Sequence, residues 1–159
     1  MKFITLAVAA FAMLCTVTTY AAEPAKEAYV PGMGEIMGAT QMRHSKLWFA
    51  GRAGNWELAD YELSEINEGL EDAVKYYPLF KHVPVSAMIR HYTAQPIADL
   101  RQSIAAGDEK QFKQSFDKLT GACNACHRAA DHGYIVIKRP GALPYTNQVF
   151  SVSARSLSH

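Results

Sequence analysis

The longest regular pattern in the sequence is a stripe of apolar residues that recur every three or four positions. Its members are Trp56, Ala59, Leu63, Ile66, Leu70, Ala73 and Tyr77. Positions three and four apart share one face of an α-helix, and acidic residues occupy the other faces of this segment. The pattern predicts a long amphipathic helix, one side of which must be buried against other parts of the fold.

Three further segments have the same spacing, which gives four predicted helices in all. Asn55 is suited to cap the second helix, Pro96 is expected to bend the third, and Gly107-Asp108 separates the third from the fourth. Four helices with short connections predict an all-α protein with an antiparallel four-helix bundle. The stripes of the first, third and fourth helices are Met33, Met37, Thr40, His44 and Leu47; Ile89, Thr93, Ile97, Leu100 and Ile104; and Phe112, Phe116, Leu119, Cys123, Cys126 and Ala130.

The N-terminus is typical of a secretory signal peptide. Lys2 precedes a short apolar stretch that ends near Val17, and Thr19-Tyr20-Ala21 provides small residues for a cleavage site. We therefore expect residues 1–22 to be removed on export to the periplasm. A retained membrane anchor is disfavoured because the apolar stretch is short, and a lipid-modified Cys15 is disfavoured because the preceding residue is bulky.

The remaining chain is expected to divide into three parts. These are a flexible lead-in at residues 23–32, a four-helix domain at 33–133 and an extended C-terminal arm at 134–159. Without the signal peptide the chain carries 15 basic and 15 acidic residues and two cysteines. This balance offers no basic field for nucleic acid, and no second apolar stretch predicts a stable membrane span.

The most specific chemical motif is Cys123-Asn124-Ala125-Cys126-His127, which has C-x-x-C-H spacing. Two thiols three residues apart lie on one side of a helical turn, where each can add to one vinyl group of a haem. The histidine that follows can then bind the iron as proximal ligand. The motif predicts one covalently attached haem c per chain, held by Cys123, Cys126 and His127.

Two other uses of the cysteines are less consistent with the sequence. A structural zinc site needs four ligands, and the chain has no second cysteine pair to complete the set. A thioredoxin-like redox pair belongs to a fold with strands and a helix, whereas no parallel sheet is predicted here.

The fourth predicted helix resembles that of the class II c-type cytochromes, the cytochrome c-prime group. The resemblance is closest from Ala105 to Arg128 and covers about 33–131, although this chain continues well past the motif and its segment Gln41–Ala50 is not typical of the group. It implies a haem within a four-helix bundle, His127 as proximal ligand, and a side chain of the first helix on the opposite side of the iron. It also makes a homodimer through the first two helices possible.

Met37 and His44 are the two candidates for the distal side of the iron. They are seven residues apart on one stripe, about 10 Å along a helix, so at most one can be a ligand. Met37 could instead fill the core, and His44 could bond a haem propionate or a carboxylate of the second helix. His91 is a weaker candidate. If neither Met37 nor His44 binds, the iron has an open site.

These observations lead to a first hypothesis and two alternatives. The first is a periplasmic monohaem c-type cytochrome that transfers single electrons between redox partner proteins and is not an enzyme. The second is a haem protein that binds nitric oxide or carbon monoxide at an open distal site. The third and least favoured is a small haem peroxidase, in which His44 would serve as the distal acid-base group. In each case, the arm from Tyr134 to Phe150 is expected to fold back over the haem edge.

Overall fold

A computed structural model describes residues 29–151, and four α-helices account for most of them. They are α1 (Met33–Arg52), α2 (Trp56–Tyr76), α3 (Val85–Ala105) and α4 (Glu109–Ala129). The predicted all-α class and the four helices are confirmed. The predicted signal peptide at residues 1–22 lies outside the described residues. Within the described range, Phe80 and Val83 form one isolated bridge without building a strand, and no helix is long and apolar enough to cross a membrane.

Polar side chains cap the N-termini of two helices, α2 and α4. The side chain of Asn55 accepts a hydrogen bond from the backbone N–H of Leu58, and Asp108 accepts one from Gln111 in the same way. Each cap satisfies an N–H that has no partner inside the first turn. Each also follows a glycine with positive φ that ends the preceding turn. The α3 helix continues through Pro96 and is not interrupted there.

Contacts between α1 and α4 show that the two helices are antiparallel. His44 contacts Thr120, and the centres of the Trp48 and Phe116 rings are 5.0 Å apart. Further along α1, a Cβ added to Gly51 would collide with the ring of Phe112. As the residue number rises on α1 it falls on α4, and the glycine lets the two helices approach closely at this end of the bundle.

The core is fully packed at the Gly51 end of the bundle and open at the other. Phe112, Phe116 and Leu119 of α4 are completely buried, together with Leu47 of α1. At the opposite end, the stripe of α1 is only half-buried at Met33, Met37 and Thr40, and the stripe of α4 is half-buried at Cys123 and Cys126. This difference leaves space between the first half of α1 and the second half of α4.

Residues 130–151, here called the C-terminal segment, contain no helix and run back along the bundle. Arg139 forms an ion pair with Asp117 of α4, and its guanidinium lies 4.3 Å from the centre of the Trp48 ring. Phe150 is 6% exposed and belongs to the core, and its carbonyl accepts a hydrogen bond from the Asn55 side chain. The segment is therefore tied to the bundle along its length.

Candidate functional site

A cavity of about 350 Å³ lies at the open end of the bundle. This volume is within the range of pockets that hold small molecules and cofactors. Its walls are mainly apolar and come from all four helices, the loop before α3 and the C-terminal segment. They include Met33, Met37 and His44 of α1, Ile66 and Leu70 of α2, Ile89 and Thr93 of α3, Leu119, Cys123, Cys126 and His127 of α4, and Ile135 and Ile137.

The two cysteines of the C-x-x-C-H motif line this cavity and are not joined by a disulfide. Withdrawal from water raises the pKa of Cys123 to about 11 and also raises the pKa of Cys126. Both side chains are therefore neutral thiols near pH 7. A redox-active cysteine pair needs the opposite shift, because the thiolate is the reactive form.

His127 lines the same cavity, and its ring orientation is fixed by the C-terminal segment. The Nδ1 atom lies 2.9 Å from the carbonyl oxygen of Ile135. A carbonyl can only accept a hydrogen bond, so Nδ1 carries the proton and donates it. In the neutral ring the other nitrogen, Nε2, is then the one with a lone pair to offer to a metal.

The end of α4 brings Ile135 into this position. The backbone N–H of His132 donates to the carbonyl of His127, and that of Asp131 donates to the carbonyl of Arg128. With Asp131 at a φ of 59°, these bonds form a Schellman cap, which reverses the chain direction. A further turn, closed by the Ile135 N–H and the His132 carbonyl, returns the segment to the His127 ring.

Asn124, between the two cysteines, binds the C-terminal segment through both ends of its amide. Its Nδ2 donates to the carbonyl of Ile137 at 2.8 Å, and its Oδ1 accepts the N–H of the same residue at 2.7 Å. The pair of bonds imitates the pairing of two β-strand residues. These two bonds fix the position of Ile137 relative to α4.

His44 also lines the cavity, but one of its ring nitrogens is already engaged. Its Nε2 lies 2.9 Å from Oγ1 of Thr120, which donates its own proton to the carbonyl of Phe116. Thr120 therefore accepts from His44, and Nε2 is a donor. Burial lowers the pKa of His44 to about 4, so the ring is neutral near pH 7. Neither of the other partners considered for His44, a haem propionate or a carboxylate of α2, is needed to satisfy this nitrogen.

Met37 lies on the cavity wall at the same height in the bundle as His127. The His44–Thr120 contact sets the register of the antiparallel helices α1 and α4. Seven residues back along α1 and seven forward along α4 each cover about 10 Å, and these steps lead to Met37 and His127. Both residues line the cavity.

Three other residues with side chains able to bind a metal or an anion lie away from the cavity wall: His91, Arg43 and Arg128. His91 is exposed on α3 and is not part of the lining. Arg43 forms ion pairs with Glu62 and Glu65 of α2 at 3.3 and 2.8 Å. Arg128 is exposed at the end of α4.

The donor set around the cavity fits a covalently held haem better than a metal ion bound by protein alone. Two neutral thiols one helical turn apart and an imidazole with Nε2 available face one apolar space. By contrast, no group of three or more His, Cys, Asp and Glu side chains converges as a metal site anywhere in residues 29–151, whereas a closed zinc site uses four such ligands.

Comparison with known protein families, characterised proteins and solved structures finds no match.

The sequence predicts no individual role for four residues of the site: Thr120, Asn124, Ile135 and Ile137. All four take part in hydrogen bonds that join a side chain to a main-chain group or to a histidine elsewhere in the sequence. Periodicity does not record such bonds. One weak signal exists, since Ile135-Val136-Ile137 is a short run of β-branched apolar residues, which favours an extended segment.

Proposed function

We propose that this protein is an exported c-type cytochrome that carries one haem c and transfers single electrons. The observation that carries the proposal is that Cys123, Cys126 and His127 of one C-x-x-C-H motif line a single apolar cavity. In this proposal the two thiols form the thioether links and His127 is the proximal ligand. When bound, the haem supplies a one-electron change at its iron.

The proximal role of His127 is supported by its hydrogen bond. Metal-binding histidines usually donate their second ring N–H to a carbonyl or carboxylate, which fixes the tautomer and the orientation of the ring. His127 makes such a bond to Ile135. In this proposal Nε2 would be the atom that binds the iron.

Met37 is the better candidate for the opposite side of the iron. It shares the height of His127 in the bundle, and its side chain is half-buried at the cavity wall. His44 is two helical turns away along α1 and uses Nε2 in its bond to Thr120. A methionine and a histidine that both bound the iron would suit electron transfer, because no site would be left for a small ligand.

The cavity walls would also limit the access of water to the haem. Ile66, Leu70 and Ile89 supply apolar surface from α2 and α3, while Ile135 and Ile137 do so from the C-terminal segment. In this proposal the segment covers an edge of the haem, as expected of the predicted arm. The exclusion of water from the surroundings of a haem is one of the factors that set its reduction potential.

The optical spectrum of the purified protein tests this function. The chain is produced in a bacterial host that exports it and attaches haem to C-x-x-C-H motifs. We expect the spectrum of a six-coordinate low-spin haem that does not change when carbon monoxide is added to the reduced protein. A high-spin haem that binds carbon monoxide would instead support the gas-binding alternative.

The peroxidase alternative is tested with the same material. It requires an acid-base group beside an open iron, and the low pKa of His44 together with its bond to Thr120 disfavours that role. We expect no turnover of hydrogen peroxide beyond that of a free c-type haem peptide. Turnover that is lost on His44→Gln would contradict the electron-transfer proposal.

A further inference from the structure

The C-terminal segment forms hydrogen bonds with the side chains of two residues of the C-x-x-C-H motif, Asn124 and His127. These side-chain hydrogen bonds are three in number and 2.7 to 2.9 Å long, two to Asn124 and one to His127. Each bond uses a main-chain group of the segment. The bonds therefore do not depend on which side chains are present at positions 135 and 137. The motif and the segment form one hydrogen-bonded unit.

The carbonyl of Ile135, which accepts the hydrogen bond from His127, is positioned by contacts made by the residues before it and after it in the sequence. On one side, the Schellman cap at Asp131 and the turn closed by His132 and Ile135 determine where the segment leaves α4. On the other side, Asn124 fixes Ile137, two residues beyond the acceptor. In an extended chain, residues 135 and 137 direct their main-chain polar groups to the same side. The Asn124 bonds therefore hold the Ile135 carbonyl towards the His127 ring.

We propose that Asn124 is a positioning residue that, through the C-terminal segment, keeps the Ile135 carbonyl bonded to His127 and so sets the reduction potential. This inference rests on the proposed function. A hydrogen bond from Nδ1–H to a carbonyl makes the imidazole a stronger electron donor at Nε2. Stronger donation favours the oxidised state of a bound iron, so the bond lowers the reduction potential.

Three variants separate this role from a general effect on folding. Asn124→Ala removes both bonds to Ile137, and Asn124→Ser keeps a neutral polar side chain that is too short to make the pair. Asn67→Ala is the matched control, because the Asn67 side chain bonds to Glu71 on the exposed surface of α2. Unfolding in urea measures the stability of each variant, and the reduction potential is measured on the complete haem protein.

We expect both Asn124 variants to increase the ratio of reduced to oxidised protein at a fixed potential by roughly three- to tenfold, while Asn67→Ala leaves it unchanged. A tenfold change corresponds to a shift of 59 mV for a one-electron couple. The Nδ1 proton of His127 should also exchange faster with solvent in the Asn124 variants.

The outcomes distinguish this inference from the proposed function. If wild type and variants all carry covalent haem and have the same potential, the positioning role of Asn124 is overturned and the cytochrome proposal stands. If the wild-type protein takes up no haem, the cytochrome proposal fails, and the inference fails with it. A potential that moves equally in Asn67→Ala would also overturn the inference.

Discussion

Thr120 accepts a hydrogen bond from Nε2 of His44, with 2.9 Å between the two atoms. Because the threonine donates its only hydroxyl proton to the Phe116 carbonyl, the histidine must be the donor in this pair. His44 is 4% exposed, so the neutral ring is strongly favoured over the charged one. The contact thus joins α1 to α4 through a histidine that stays uncharged until the solution is acidic.

The first prediction concerns the pH dependence of stability. The folded-state pKa of His44 is about 4, below its ordinary value of 6.5. The unfolded chain therefore takes up this proton first as the pH falls, and stability is lost between about pH 6.5 and 4. The full loss from this group is about 3 kcal/mol. Urea unfolding measured between pH 7 and 4 should show it.

His44→Gln provides the comparison for this measurement, because glutamine can still donate to Thr120 but does not titrate. The difference in unfolding free energy between wild type and variant should shrink or change sign as the pH falls. A difference that is the same at pH 7 and pH 4 would be inconsistent with a buried neutral histidine.

The second prediction concerns Met37. Met37→Ala should convert the haem protein to a high-spin form that binds carbon monoxide, because Met37 is the residue proposed to bind the iron opposite His127. Met33→Ala is the matched control, since Met33 lines the same cavity one turn earlier on α1. Optical spectra of both reduced variants, with and without carbon monoxide, provide the measurement. A low-spin spectrum in Met37→Ala would assign the ligand elsewhere.

The third prediction concerns the ion pair between Arg43 and Glu62. Glu62 is 1% exposed, and burial raises its pKa even though Arg43 opposes the shift. Arg43→Ala leaves the carboxylate buried without its partner, which should cost about 2 kcal/mol, less than a fully buried pair because water reaches Arg43. Arg52→Ala breaks a pair that is exposed on both sides and should cost less than about 0.5 kcal/mol. Equal losses in urea unfolding would contradict this difference.

The fourth prediction concerns the far end of the C-terminal segment. Phe150 packs against Phe49 with ring centres 5.9 Å apart and is buried with the core. Phe150→Ala should therefore lower the unfolding free energy by about 3 kcal/mol. Val149 is 76% exposed, so Val149→Ala should change stability by less than about 0.5 kcal/mol. If the two variants are equally stable, the segment does not form part of the core.

Much of the helical fold could be predicted from local patterns. The apolar stripe that begins at Trp56 and the cap at Asn55 both predict α2. Each of these signals involves residues that are close together in the sequence, within one or two helical turns. The same is true of Asp108 and α4. The position of the cysteines on the inner side of α4 follows from the spacing alone.

The course of the C-terminal segment could not be predicted in the same way. Its position depends on bonds such as Asn124 to Ile137 and Asn55 to Phe150, which join residues 13 and 95 positions apart. These bonds leave no periodic trace in the sequence. The sequence leaves both Met37 and His44 as candidates for a similar reason, since their positions relative to His127 depend on the register between α1 and α4, which the His44–Thr120 contact defines.

The intact mass of the exported protein tests whether haem is covalently attached to Cys123 and Cys126. We expect the mature wild-type chain to lack its N-terminal signal segment and to exceed the mass of the remaining polypeptide by one haem, even after denaturation. Cys123→Ala with Cys126→Ala should have no added mass. A denatured wild-type chain with the mass of the polypeptide alone, from a host that attaches haem to a control cytochrome, would show that this protein is not a c-type cytochrome.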